Sequence, residues 1–481
     1  MYRETLIQNA LSFAQAGLGC LVLLAICGGT LAHGAVQPLG FTLMALLVAT
    51  AFALQVPLDA LRGVPRAVHR ASLVLALPWA AVMLWLWLQT LPGMPVAWAH
   101  PGWAFAPDGA ARAMSADPPQ GRLIVMRLIC YGLIFFLFAR CALDRRHAML
   151  LLRLFALFST ALAAYGLQAA LRDGGPVTGP FINRNSCATM AAFGALANLA
   201  MLRHVMAGRA GPDLRISLRH SLDRMVGGGW IHATGALLCL SALALTASRA
   251  GGLAGLAGIM VFLGAVSRNG RGEGRLAWVP PLLIIGFVLT AMTSDVASRL
   301  GDMSGDARFR IYPAVLDGIS ERPLPGHGVG SFRDTFRRHV PAELGHDDWD
   351  LAHSSYLENA YEFGLPAAAV FYAVLGLIGW RLLGGVRRRR TGQVIPAFAL
   401  ACFTVASLHS AVDFSLQIPS IAASFAAILG IGWAQSFSRA DFRGPDRHRA
   451  SARPGANAAY PAPTSIMRTP SSSRTAMRRP E

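Results

Sequence analysis

The chain of 481 residues contains no lysine: all 43 of its basic residues are arginine, and charged residues of both signs make up only 14% of it. So little charge, set against 54% hydrophobic residues and a mean hydropathy of +0.45, excludes a soluble domain of this length. Cysteine is sparse as well. The seven (Cys20, Cys27, Cys130, Cys141, Cys187, Cys239 and Cys402) lie in or beside apolar runs, which excludes a disulfide framework and a thiolate metal site. The formal charge of +18 gathers on no predicted face, so a nucleic-acid partner is excluded too. There is no internal repeat. The first apolar run lacks an A-x-A-like cleavage site and is followed at once by a second, so a removable signal peptide is not expected.

What is present is a series of apolar stretches long enough to cross a hydrocarbon core of about 30 Å, which takes roughly 20 helical residues. They fall at about 10–32, 37–56, 71–91, 122–141, 147–171, 186–206, 230–247, 250–267, 276–293, 364–384, 393–412 and 417–437. The expected fold is therefore an all-α polytopic membrane protein of 12 spans. Residues 1–293 carry spans one to nine, 294–363 a large, partly helical loop, 364–437 the last three spans, and 438–481 a tail.

Alternate connections are rich in arginine, as in Arg62, Arg66 and Arg70, then Arg140, Arg145 and Arg146, and at the far end the run Arg387–Arg390. The positive-inside rule puts these connections and both termini on the cytoplasmic side of a bacterial inner membrane. The connections 92–121 and 172–185 and the long loop then face the periplasm. The tail, rich in Arg, Pro, Ser and Ala, has no apolar periodicity and cannot bury enough surface to fold alone; its nine arginines suit contact with anionic membrane lipid.

Polar chemistry is concentrated between Thr293 and Leu365, which hold twelve of the 25 acidic residues. Three short helices are expected there: Arg308–Ile319, broken near Pro313; Ser331–Val340, with Phe332, Phe336 and Val340 on one face; and one beginning at Ser355. In the third, Ser355-Tyr-Leu-Glu358 reads as a capping box, which accounts for Glu358 structurally and sets His353 just before a helix N-terminus. Asp347-Asp348-Trp349-Asp350 offers oxygen ligands suited to a hard cation, but reads first as a solvated loop. Gly326-His-Gly-Val-Gly330 follows no predicted strand, so it reads as a tight turn rather than a nucleotide fingerprint.

Four segments resemble the O-antigen ligase and polymerase family: Gly179-Pro-Phe-Ile-Asn-Arg-Asn185; Leu245-Thr-Ala-Ser-Arg-Ala-Gly-Gly252; Arg308-Phe-Arg-Ile-Tyr312 with Pro323 to Phe332; and His353-Ser-Ser-Tyr-Leu-Glu-Asn-Ala-Tyr-Glu-Phe-Gly-Leu365. A fifth, His409 to Pro419, is similar to a segment after the next-to-last span of many members. The resemblance covers about residues 175–435; the first 170 match only as generic spans. It implies transfer of a glycan from undecaprenyl diphosphate to a hydroxyl acceptor at the periplasmic face, without cofactor or metal. The implied acceptor is lipid A-core for a ligase. For a polymerase of O-antigen or exopolysaccharide repeat units it is a growing glycan; a protein hydroxyl acceptor is less supported.

A diphosphate leaving group needs cations, and arginine's planar fork meets phosphate oxygens two at a time. Arg184 and Arg249 fall at outward ends of spans, with Asn183 and Asn185 flanking the first. Arg249 is the stronger reading, because a charge in so tight a turn on that side runs against the positive-inside rule. The competing reading is that both guanidiniums simply snorkel to the interface. Arg308 takes the position of the family's loop arginine, although Tyr312 stands where Trp is common. Arg310 is its neighbour and competitor, and a loop salt bridge to Asp302 or Asp306 is the structural alternative for either. His353 fits a general base, since an imidazole titrating near pH 6.5 can accept a hydroxyl proton. A transporter would place ionisable groups near mid-membrane. Only Arg127 and Arg153 stand there, so transport ranks below transfer.

Overall fold

The computed structural model describes residues 2–110, 112–207, 214–267, 307–340, 349–389 and 392–437. They form helices α1 (Tyr2–Leu31), α2 (Pro38–Arg62), α3 (Arg66–Gln89), α4 (Pro118–Cys141), α5 (Arg145–Asp173), α6 (Arg184–Met206), α7 (Leu214–Arg224), α8 (Trp230–Leu245) and α9 (Arg249–Ser267). Three short helices follow, α10 (Ala307–Glu321), α11 (Phe332–Phe336) and α12 (Ser355–Phe363). Then come α13 (Leu365–Arg388), α14 (Val394–His409) and α15 (Pro419–Ala434). The protein is an all-helical polytopic membrane protein. Among the described residues nine helices are long and apolar enough to span, α7 counting with α8 as one. The shorter α14 and α15 stand where the last two spans are expected. The expected ninth span, 276–293, and the tail lie outside the described residues.

The bundle is centred on α6 and α15, which are buried along almost their whole length, whereas α1 to α3 expose many leucines. Sequence explains why α6 can sit inside. Its run of Ala, Gly, Ser and Thr presents a thin surface, and small residues let membrane helices approach closely where no water drives them together. A Cβ on Gly194 would lie 2.6 Å from Ser159 Cβ, so α5 is in direct backbone-range contact there. Likewise a Cβ on Gly251 would lie 2.6 Å from Ala188 Cβ, pressing the start of α9 onto the start of α6.

The loop between the expected spans nine and ten builds a small core of its own from Ile311, Val315, Phe332, Phe336, Ala352 and Tyr361. Two expectations are corrected there. Helix α10 runs unbroken through Pro313. A proline removes a single N–H bond, while the buried stripe Ile311, Ala314, Val315 and Ile319 continues on both sides of it. The expected helix 331–340 instead stops after Phe336 and tightens into a 3-10 turn at Arg337–His339, with Phe332 and Phe336 buried as the pattern implied.

Candidate active site

The glycine turn 326–330 is built first by backbone geometry. Gly326, Gly328 and Gly330 have φ of 71°, 100° and 80°, a region that residues with a Cβ rarely enter. His327 and Gly328 donate their N–H groups to the carbonyls of Tyr361 and Glu362, at 2.9 and 3.0 Å. The buried Glu362 carboxylate returns the contact by accepting from Gly330 N and Phe332 N, both at 2.9 Å. The turn is thus locked onto the C-terminal half of α12. It is locked equally to the end of α3 and the connection after it: Val329 N donates to Gln89 Oε1 at 2.9 Å and Ser115 Oγ to the Val329 carbonyl at 3.0 Å.

The first residues of α12 are fixed in a different way from the expected one. Two serines in succession compete for the cap, and it is Ser354, not Ser355, whose hydroxyl faces Leu357 N. Glu358 is therefore not a capping-box residue. It is buried and accepts from Ala352 N at 2.8 Å and from Gln417 Nε2 at 2.8 Å, tying the residue before His353 to the segment before α15. Burial raises the Glu358 carboxyl well above the usual range, and nearby Glu362 adds to it. Burial likewise raises Glu362, against the two N–H bonds that lower it.

His353 sits in this clamp with φ of 52°. Its carbonyl accepts from Tyr312 Oη at 3.1 Å, so the phenol at that position anchors the histidine's backbone. Its ring meets Trp349 edge-on with centroids 5.9 Å apart, and Phe414 at 5.1 Å. Ser355 N donates to the Ser410 carbonyl at 2.9 Å and Ser355 Oγ to that of Asp413 at 3.2 Å. The buried Asp413 carboxylate in turn accepts from Asn185 Nδ2 at 2.8 Å. His409 bonds Thr189 Oγ1 at 2.7 Å. The start of α6 and the start of α12 therefore meet the same segment, residues 409–417.

Arg184 and Arg249 are the first residues of α6 and α9, and both are exposed. Their neighbourhoods are joined by Val177 N donating to the Leu245 carbonyl at 2.9 Å and by the Gly251 contact with α6. Asn183 caps α6 by accepting from Ser186 N at 2.8 Å, so its carbonyl oxygen has a structural use. Arg310 is exposed on α10. The Arg308 side chain, Asp302 and Asp306 lie outside the described residues, as do Asp347 and Asp348. Asp350 is paired with Arg333 at 2.8 Å. Four of the resembling segments, 179–185, 308–312 with 323–332, 353–365 and 409–419, are thereby linked in one chain of contacts, and the remaining one, 245–252, lies against Val177 and Ala188 on either side of the first. Sequence pattern alone left out Gln89 and Ser115, which tie the glycine turn to α3 and the connection after it, and the true role of Glu358.

Beside α12 opens a cavity of about 910 Å³ between α3, α4, α13, α14 and α15. Ser355, Glu358 and Glu362 line its polar end, with Arg333 and Arg337. Phe135, Phe425 and Leu429 line its apolar depth. Arg184, Arg249 and His353 do not form its wall. Glu321, His327 and His339 bring one potential metal ligand atom each within 4.8 Å of one another. Those groups are already engaged, however: Arg338 pairs with Glu321 at 2.6 Å and donates to His339 at 3.1 Å.

Residues 234–372 match the family model described as O-antigen ligase (Wzy_C). The chain carries an O-antigen ligase domain. The matched stretch runs from α8 through the loop core and α12 into α13 and includes Arg249, Arg308 and His353. No curated protein matches the chain.

In this O-antigen ligase domain His327 is half of a histidine relay that reaches outside the matched stretch. Gly102 N donates to His100 Nδ1 at 3.1 Å, which leaves His100 Nε2 as the donor to His327 Nδ1 at 3.2 Å, and His327 Nε2 as the donor to the Gly318 carbonyl at 2.9 Å. This order requires both rings neutral. Burial pushes His100 down to about 3 and His327 to about 4, and the charges of Arg322 and Arg338 act in the same sense. Because an unfolded histidine titrates near 6.5, the open state binds more protons below that pH. The clasp contributes fully above about pH 6.5 and weakens as pH falls toward 4. The raised carboxyls Glu358 and Glu362 act in the opposite sense, so the histidine part is read by difference. Protection factors of the amides in 322–331, which take out the slower base-catalysed chemical exchange at low pH, should fall about tenfold or more between pH 7 and 5 in the wild type, and clearly less in His100→Phe. An equal fall in both proteins would remove the relay as the cause.

Proposed function

We propose that the protein transfers a glycan from undecaprenyl diphosphate to a hydroxyl acceptor at the periplasmic face of a bacterial inner membrane. The acceptor is that of a ligase, lipid A-core. The observation that carries this reading is the joining of four family-like segments around His353 and residues 409–417, with the fifth, which opens α9 at Arg249, packed against the start of α6. The arginine-rich connections at the opposite ends of the bundle support a cytoplasmic position for both termini.

In this mechanism a ring nitrogen of His353 accepts the proton of the acceptor hydroxyl as its oxygen attacks the anomeric carbon. The bond from that carbon to the diphosphate oxygen breaks on the opposite side, and the configuration inverts. Arg184, Arg249 and Arg308, with Arg310 beside them, stabilise the charge that gathers on the departing diphosphate, and Asn185 holds the first of them in register. The arginines supply the positive charge in this reading, and no metal is assigned a step. The clamp on both sides of His353, through Ala352 and its own carbonyl, fits a base that must be held to within a fraction of an ångström.

A polymerase of O-antigen or exopolysaccharide units shares the donor and the geometry. The two readings separate in a strain lacking the protein. Accumulation of long, already polymerised lipid-linked chains is expected, and marks the missing step as attachment. Single lipid-linked repeat units would make it the polymerase. Absence of both intermediates would count against transfer.

A further inference from the structure

The cavity beside α12 contains a group that the transfer mechanism does not use. Arg127 lies nine residues into α4, about 13 Å along the helix from its Pro118 end at roughly 1.5 Å per residue. It lines the cavity together with Tyr131, one turn further on. Among the described residues the buried Arg127 Nε and Tyr131 Oη have no hydrogen-bond partner, and no carboxylate pairs with Arg127. The ring of Phe41, 5.5 Å from the guanidinium carbon, covers one face of the charge but accepts no hydrogen bond. The arginines at the cavity mouth differ, since Arg333 is already paired with Asp350.

An unmatched guanidinium at that depth is costly unless something anionic answers it. What can reach it is constrained by the walls. Ile124, Leu128, Phe135, Leu375, Phe425 and Leu429 make the surroundings apolar, and the cavity is large enough for an aliphatic chain. Free phosphate would have to leave water for this lining with no gain from it. A phosphate joined to an aliphatic chain satisfies both: the chain covers the apolar wall, and the oxyanion takes the guanidinium fork and the phenol.

We propose that this cavity is a binding site for a lipid phosphate, its oxyanion held by Arg127 and Tyr131 and its chain lying against α4, α13 and α15. The site is separate from the arginines assigned to the leaving diphosphate, and the proposal stands whichever reaction the protein catalyses. It is tested by binding. The full chain, purified in neutral detergent, is titrated with dodecyl phosphate, with dodecanol and with inorganic phosphate while its melting temperature is followed. Dodecyl phosphate is expected to raise the wild-type melting temperature by about 3 °C or more, the other two by nothing measurable. Arg127→Met should abolish the shift and Tyr131→Phe reduce it. A shift in Arg127→Met equal to wild type overturns the proposal, and so does an equal response to inorganic phosphate, which would place the anion at the open mouth. If Arg127→Met does not fold, Tyr131→Phe decides alone, an undiminished shift overturning it.

Discussion

His353→Ala should lower glycan transfer by roughly 10²- to 10⁴-fold, the usual worth of a general base, while the protein stays at wild-type level in the membrane. The separation of activity from abundance follows from the structure. The imidazole contributes two edge-on ring contacts, whereas the bonds that hold its segment come from the Ala352 amide, the His353 carbonyl and Ser355. Alanine keeps all of those backbone bonds. Its left-handed φ, which histidine enters more readily than alanine, adds a small strain that these retained bonds hold. The check is transfer of lipid-linked glycan in membranes of matched protein content, with Glu358→Gln alongside. The glutamine keeps one acceptor for Ala352 N and should cost less than the histidine change. A near-normal rate in His353→Ala would remove it from the mechanism.

Gly328→Ala should be the most damaging small substitution in the loop. At φ of 100° a Cβ is strained at once, and here it would also overlap the Cα of Ser115, a backbone atom that cannot swing away. Either the turn leaves α12, losing the bonds from His327, Gly328 and Gly330, or the connection between α3 and α4 is pushed off. The combined cost is about 3 kcal/mol or more. Limited proteolysis should cut the variant between residues 322 and 331 where the wild type is resistant, and transfer should fall with it. Gly376→Ala in α13, where an added Cβ meets nothing within 4 Å, is the matched control and should be neutral or slightly stabilising. A Gly328→Ala protein as resistant as that control would show that the turn does not depend on its close approach.

The spans were legible because a hydrocarbon solvent demands long apolar runs, and the arginine clusters marked their ends without any knowledge of packing. The loop helices were legible in their buried faces but not in their ends. Pro313 is tolerated because the stripe around it outweighs one lost bond, and Ser354 rather than Ser355 caps α12 because adjacent serines give the same local signal. His353 and the arginines were singled out by resemblance, since nothing local distinguishes a base from a structural histidine. What could not be read is whatever couples distant parts of the chain. Gln89 meets Val329 across 240 positions. The cavity is a property of five helices at once, and Arg127 became informative only when its surroundings were visible.

The end of α3 and the connection after it grip the glycine turn through Gln89, Ser115 and His100, and Arg322 reaches back to the carbonyls of Trp98 and Ala99 at 3.1 and 3.3 Å. The segment that matches the family begins only at residue 234. It is consequently not a portable module. Cut out and expressed alone, it would expose a turn whose partners were left behind. In a chimaera between two such proteins the junction belongs before residue 89, so that the grip and the turn come from the same parent.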